Sequence, residues 1–352
     1  MTTSFTHETL PQRVVFAAEQ AARHVADEVA RLGTRPMVIA AEPDGALAEP
    51  ILAGLPGAVR HTEVAMHVPV EVAERARKAA AEHDIDVLVS VGGGSTTGLA
   101  KAVTLTSGLP IVAVPTTYAG SEATNVWGLT DAGRKTTGSD ARVLPRSVVY
   151  DAALLVSLPA QLSVASGLNA MAHCVDSMWA PRADPINRAL ALEGIRALHR
   201  GLPQVVRDYR DIDGIEQTLY GAYLAAVAFA SAGSGLHHKI CHVLGGMYAL
   251  PHAQTHAVVL PHVLAFNAPS VPGIERRLAK SFGATSAAGG LRRLREQVGA
   301  PRALRDYGLR EADIPTAAEA VLAAVPPGNP TPVTAANVDE LLRRAWAGRE
   351  PE

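Results

Sequence analysis

The chain has 352 residues, a formal net charge of −2 and 48% hydrophobic side chains, enough for two domains and a sizeable core. Its 32 Lys/Arg and 34 Asp/Glu are scattered, which excludes a basic nucleic-acid-binding face, and no apolar run reaches the length of a bilayer. The start, Met1-Thr-Thr-Ser-Phe-Thr-His7, lacks a signal-peptide pattern, and two cysteines (Cys174, Cys241) staple nothing of this size, so a cytoplasmic protein is expected.

The first half alternates helix-like and strand-like segments, the mark of a layered α/β domain. A helix is predicted over 17–32, then a strand over 37–41. A helix over 70–83 leads to a strand over 86–91, a glycine turn and a second helix near 95–105. A buried strand follows over 110–115, a hairpin over 126–130 and 134–137, and a last strand over 147–150. Past Leu158-Pro159 the composition turns to Ala- and Leu-rich helical stretches at 162–180, 184–200, 214–232 and 274–297. The Pro-rich segment 326–332 reads as a loop before a short final helix. The expected division is therefore 1–158, α/β and nucleotide-binding, and 159–352, all-α and carrying the substrate chemistry, with no internal repeat.

Two segments of the first half suit a nucleotide. In DVLVSVGGGSTTGLAK, residues 86–101, a buried strand runs into Gly92, Gly93 and Gly94 and then a helix N-terminus. Glycines let backbone pass close to a bulky anion, and the free amides at the helix start can hold a pyrophosphate, with Ser95 adding a hydroxyl. The turn is not the GxGxxG fingerprint, and by itself it is also an ordinary tight turn. The loop PTTYAGSE, residues 115–122, adds the hydroxyls of Thr116, Thr117, Tyr118 and Ser121 at a strand's carboxyl end, where α/β sheets bind ligands.

The second half concentrates histidine. Six of the chain's 13 histidines fall in HHKICHVLGG (237–246) and PHAQTHAVVLPH (251–262), and His173 follows Asn169 by four residues in GLNAMAH. The pairs His238/His242 and His252/His256 share that spacing, which puts each pair on one face of a helix. A divalent cation here would want a carboxylate where Asn169 stands, so the pattern is that of a metal pocket lacking its anionic ligand. His237 lies about 100° around a helix from His238 and could reach a substrate, and Lys239 could meet a carboxylate, although a helical lysine is more often a solvated charge.

These motifs together resemble the iron-containing (group III) alcohol dehydrogenases, which share their fold with dehydroquinate synthase and glycerol dehydrogenase, over nearly the whole chain. Within that family the chain resembles the maleylacetate reductases, which carry Gly rather than Asp at the position of Gly98, Asn at that of Asn169, and the HHK…CHVLGG and PHAQTHA forms. The resemblance implies an N-terminal dinucleotide-binding α/β domain and an all-α C-terminal domain. The family's metal ligands would map to Asn169, His173, His238 and His252, with His242 handling protons and His256 where alcohol dehydrogenases usually carry Asn. Its nucleotide residues would fall on Gly93, Gly94, Ser95, Thr116, Thr117 and Lys135. Glu42 would stand against the adenosine ribose, favouring NADH over NADPH.

The implied activity is reduction of the C=C bond of maleylacetate, or of a chlorinated form, to 3-oxoadipate by a cytoplasmic homodimer that uses no metal and no nucleic-acid or membrane partner. His173, His238, His242, His252 and Asn169 would then be catalytic, and Tyr118, His237, Lys239 and His256 would bind the dicarboxylate. Competing expectations are a metal-dependent alcohol or polyol dehydrogenase of the same family and a non-catalytic nucleotide-binding protein.

Overall fold

Short runs of β-branched residues alternate with helices through the first 150 residues. The computed structural model describes residues 4–17, 19–131 and 134–351, with backbone alone at 134 and 135. In chain order the first unit contains β1 (Arg13–Phe16), α1 (Ala21–Leu32), β2 (Pro36–Ile39), α2 (Gly45–Ala53), β3 (Val59–His61), α3 (Val70–Glu82), β4 (Val87–Gly92) and α4 (Gly94–Ser107). It continues with β5 (Ile111–Pro115), β6 (Val126–Asp131), β7 (Arg134–Ser139) and β8 (Ser147–Tyr150).

Six of these strands form one parallel sheet in the order β1-β8-β5-β4-β2-β3, while β6 and β7 make a separate antiparallel hairpin. Every residue of β2, β4 and β5 is buried, as expected of central parallel strands covered on both faces. The register pairs Gly92 with Pro115. The glycine turn and the hydroxyl-rich loop therefore leave the sheet side by side, at the carboxyl ends of adjacent strands.

Three elements depart from the sequence expectation. The predicted helix over 17–32 starts only at Ala21, and the residues just before it form the edge strand β1, whose hydrogen-bond partners lie more than 130 residues away on β8. β3 and α2 were not expected either: β3 has three residues, too few to show a period, and α2 is a short helix with Pro50 inside it.

The second unit is helical: α5 (Ala160–Ser177), α6 (Pro185–Arg207), α7 (Ile212–Ala232), α8 (Leu236–Tyr248), α9 (His252–Asn267), α10 (Pro272–Ser281), α11 (Ala287–Gln297), α12 (Ile314–Ala324) and α13 (Ala335–Ala347). The single helix expected over 274–297 is two, because the chain turns through Gly283 at φ 59°. Leu236, Ile240 and Leu244 of α8 join Val258 and Val259 of α9, Ile314 and Val321 of α12 and Leu342 of α13 in one apolar cluster. The two compact units are Thr9–Leu158 and Pro159–Glu352, and the described residues before Thr9 group with the helical one rather than with the α/β unit. There His7 Nδ1 meets Asp184 Oδ2 at 2.8 Å, and Asp184 also accepts from the Ile186 and Asn187 amides at the start of α6. No single helix among the described residues is long and apolar enough to cross a membrane.

A buried cation shapes the loop after β5. Lys101 of α4 is 0% exposed, and its Nζ donates to the carbonyls of Ser121, Thr124 and Val126 at 2.7, 2.8 and 2.8 Å and to Thr124 Oγ1 at 3.1 Å. Burial pushes Lys101 down to about 7, opposed by the charge of Glu122. Glu122, itself buried, accepts from the Tyr150 hydroxyl at 2.6 Å. Lys101→Met should leave those carbonyls without a donor and lower the unfolding free energy by about 3–5 kcal/mol, read from urea denaturation. An unchanged midpoint would mean that the loop is held by other contacts.

Candidate active site

The phosphate-type turn forms where β4 meets α4. Gly92 has φ 151°, and a Cβ on it would lie 2.4 Å from Thr96 Oγ1, so glycine is required there. Gly93 is the N-cap of α4 and offers no side chain to the helix, which leaves the first-turn amides of Gly94 and half-buried Ser95 for an anion. A Cβ on Gly93 would stand 3.1 Å from the Thr117 methyl, whereas one on Gly94 would have only Ala119 Cβ, at 3.7 Å. Beside this turn the buried Thr116 donates its amide to Gly92 O at 3.1 Å, and Thr117 Oγ1 accepts from the Ala119 amide at 3.4 Å. The structure thus brings Gly92, Gly93, Gly94, Ser95, Thr116 and Thr117 together.

The remaining residues expected at the nucleotide fare differently. Half-buried Ser121 has its carbonyl taken up by Lys101. Tyr118, expected at the substrate, is 1% exposed, with its ring in the core of the α/β unit. Lys135 has its side chain outside what the structure describes. Glu42 is exposed in the turn after β2, while Asp44, two residues on, is half-buried, hydrogen-bonded by the Thr116 side chain and turned toward Gly92. Burial raises the Asp44 carboxyl above its ordinary range. Its signal in the sequence, a second acid after the same strand, is weak because turns often carry aspartate.

In the helical unit three helices assemble the histidines. α5 carries Asn169 and His173, α8 carries His237, His238 and His242, and α9 carries His252 and His256. His173 and His238 stack with centroids 5.0 Å apart and planes 11° off parallel, and Phe229 of α7 lies 4.8 Å from the first ring and 4.2 Å from the second. The His256 ring is 4.9 Å from those of His237 and His238 and 4.3 Å from His252; His242 lies 6.0 Å from His238. His173, His237, His238, His256 and Asn169 are buried, His242 is half-buried, and His252 is exposed. Lys239 is half-buried and makes no ion pair among the described residues.

Proton positions follow from this packing. Burial, with the mutual repulsion of the rings, pushes His173 and His237 down to about 3 and His238 and His256 well below the ordinary histidine range. The four rings are neutral at pH 7. His237 Nε2 and His256 Nδ1 share one proton across 2.9 Å. Their outer nitrogens, both buried without a partner, therefore hold one N–H and one lone pair between them, whichever way the shared bond runs. His173 Nδ1, His238 Nε2 and Asn169 Oδ1 are likewise buried without a partner.

Asp176 organises the cluster and was not anticipated. Its Oδ2 faces His238 Nδ1 at 2.7 Å and accepts from the Gly235 amide at 2.7 Å, at the N-terminus of α8. Burial pushes the carboxyl up to about 7, opposed by the Gly235, His238 and His237 amides. The signal was present: Asp176 follows His173 by three residues and so lies on the same helical face. A carboxylate holding one nitrogen of an imidazole fixes the ring so that the other nitrogen works, the arrangement seen behind histidine ligands and catalytic histidines alike.

The profile described as iron-containing alcohol dehydrogenase matches residues 11–152, and that of the Fe-containing alcohol dehydrogenase family, C-terminal, matches 163–346. A maleylacetate reductase of Sphingobium indicum is 44% identical, with 99% of each chain covered. A crystal structure of an iron-containing alcohol dehydrogenase from Corynebacterium glutamicum superposes with TM-score 0.97 at 56% identity, over 100% of this chain and 99% of that one. The maleylacetate reductase of Agrobacterium tumefaciens superposes with TM-score 0.93 at 40% identity, over 99% and 100%. An α/β unit with a glycine turn at a helix N-terminus, a helical unit with clustered histidines, and full-length likeness at this level have one conclusion: the chain belongs to the iron-containing alcohol dehydrogenase family.

Proposed function

We propose that this protein reduces the C2=C3 bond of maleylacetate to 3-oxoadipate with NADH, using buried imidazoles rather than a metal ion to stabilise the intermediate. The observation that carries the reading is Asn169 at the position of the anionic ligand, within a cluster of neutral histidines. The names of the full-length relatives support the substrate.

The donor set argues against the family's iron. Three imidazoles and an amide bring no negative charge to a divalent cation, and the nearby carboxylate of Asp176 is already engaged by His238 and the start of α8. For the cofactor the fit is good: the uncapped first turn of α4, flanked by Gly93, Thr116 and Thr117, suits a pyrophosphate. NADH, when bound, supplies the hydride that adds at C2.

The chain's own residues answer the charge that then develops on the C4 oxygen. The N–H left at the outer end of the His237–His256 pair is a donor held in a dry site, where such donors stabilise an oxyanion far more than in water. His238 presents Nε2, its other nitrogen being held by Asp176, and half-buried His242 is placed to pass the proton that C3 receives. Half-buried Lys239 is available to a substrate carboxylate. A conjugated double bond needs less polarisation at oxygen than an isolated ketone, which suits hydrogen-bond donors in place of a Lewis acid. Two buried, unpaired cysteines suit a reducing compartment and support a cytoplasmic setting.

The direct test is NADH oxidation with maleylacetate against simple aldehydes. Turnover should be confined to maleylacetate and should survive prolonged chelation; loss of activity on chelation, restored by Fe²⁺ or Zn²⁺, would instead favour a metal-dependent dehydrogenase.

Gly94→Val adds a Cβ whose nearest neighbour in the protein is Ala119 Cβ, at 3.7 Å. It should leave thermal stability nearly unchanged while raising KM for NADH about tenfold or more, because the new methyls stand where the pyrophosphate must approach. Equal NADH binding by a folded variant would move the phosphate site elsewhere.

Asn169→Asp returns one negative charge at almost no change in volume. Maleylacetate reduction should fall about 100-fold as the carboxylate repels a dianion, and measurable Fe²⁺ or Zn²⁺ affinity should appear. A variant that binds no metal and turns over like the parent would remove Asn169 from the site.

A further inference from the structure

We propose that His237, Cys241 and His256 form a thiolate-dependent site for Zn²⁺ or a similar thiophilic cation, separate from the family's metal position, and that its occupation inhibits the enzyme. The three residues are 1%, 2% and 0% exposed, and one donor atom from each lies within 4.8 Å of the others. His237 Nε2 is 2.9 Å from His256 Nδ1 and 3.7 Å from Cys241 Sγ. A tetrahedral zinc with Zn–N of about 2.0 Å and Zn–S of about 2.3 Å sets its ligands about 3.3 Å apart (N to N) and about 3.5 Å apart (N to S). The two separations from His237 need shifts of only a few tenths of an ångström, and the third, from His256 to Cys241, starts within 4.8 Å.

The chemistry also balances. Cys241 loses its thiol proton to solvent and becomes the anionic ligand that Asn169 does not provide. The proton shared by the two imidazoles moves to whichever outer nitrogen lacks one, so both rings stay neutral. Water or a small anion completes the coordination. His237 and Cys241, four residues apart on α8, face His256 of α9, so the site needs no rearrangement of helices. Inhibition follows from the reading above, on which it rests: a cation held there replaces the shared hydrogen bond with two metal bonds and puts N–H on both outer nitrogens, so the one N–H and one lone pair that the bond kept in place are lost.

Co²⁺ reports the site without reference to activity. Titrated into chelator-treated protein, it should produce tetrahedral d–d absorption together with a near-ultraviolet thiolate-to-cobalt band. That band should vanish in Cys241→Ala and Cys241→Ser and persist in Cys174→Ala, whose sulfur packs against Gly194. Zn²⁺ should displace the band and inhibit the parent, with the inhibition constant rising about 100-fold or more in Cys241→Ala when each protein is scored against its own metal-free rate. Co²⁺ bound with no thiolate band, or a band that survives both Cys241 variants, overturns the site. A thiolate band without inhibition overturns the inhibitory role. A band in a protein that never reduces maleylacetate would count against the proposed function and leave the metal site standing.

Discussion

One buried carboxylate holds the candidate chemistry in place. Asp176 sits on α5 with no exposure and receives, at the N-terminus of α8, the Gly235 amide and His238 Nδ1, both at 2.7 Å. It acts as an N-terminal cap supplied from another helix: its charge answers the positive end of α8 and its oxygens satisfy donors that the helix cannot. The approach is close enough that a Cβ on Gly235 would lie 2.5 Å from Asp176 Oδ1. Any other residue there would push α8 outward and carry His237, His238 and Cys241 with it.

The histidine cluster is intelligible only with that anchor. Crowding neutral imidazoles at 4.2–6.4 Å from aromatic or imidazole neighbours removes water from them and makes charging any one expensive. Such a group has few protons, and their positions are dictated by hydrogen bonds: one shared by His237 and His256, one fixed by Asp176 on His238. Asn169, four residues before His173 on α5, adds an uncharged amide to this group of imidazoles. His173 Nδ1, His238 Nε2 and the outer nitrogens of the His237–His256 pair are left without a partner among the described residues.

The α/β unit solves a mirror-image problem with the opposite charge. There Lys101 lies beneath the loop after β5 and gathers the carbonyls of Ser121, Thr124 and Val126, so that Thr116 and Thr117 stand beside an uncapped helix start. In each unit a buried charge meets backbone groups of opposite polarity and thereby shapes a polar surface. The cation collects carbonyls, and the carboxylate collects amides. Both devices place polar backbone where regular secondary structure cannot satisfy it.

The sequence by itself determined the fold class, the glycine turn with its neighbouring hydroxyl loop, and the histidine pairs, since all of these are written in local spacing: a period of two or 3.6, three consecutive glycines, and i, i+4 repeats. Asn169, an uncharged side chain four residues before His173, is legible in the same way. Only the tertiary structure decided what depends on pairing between distant segments. The edge strand β1 exists because β8 accepts it, and Tyr118, in a loop of hydroxyl residues, is buried. Asp44 rather than Glu42 faces the glycine turn because the chain bends after β2. Asp176 meets His238 across 62 residues, and His237 meets His256 across two helices. A spacing rule names which residues share a face of one helix; which nitrogen on that face carries a proton is settled by the partner that packing sets against it.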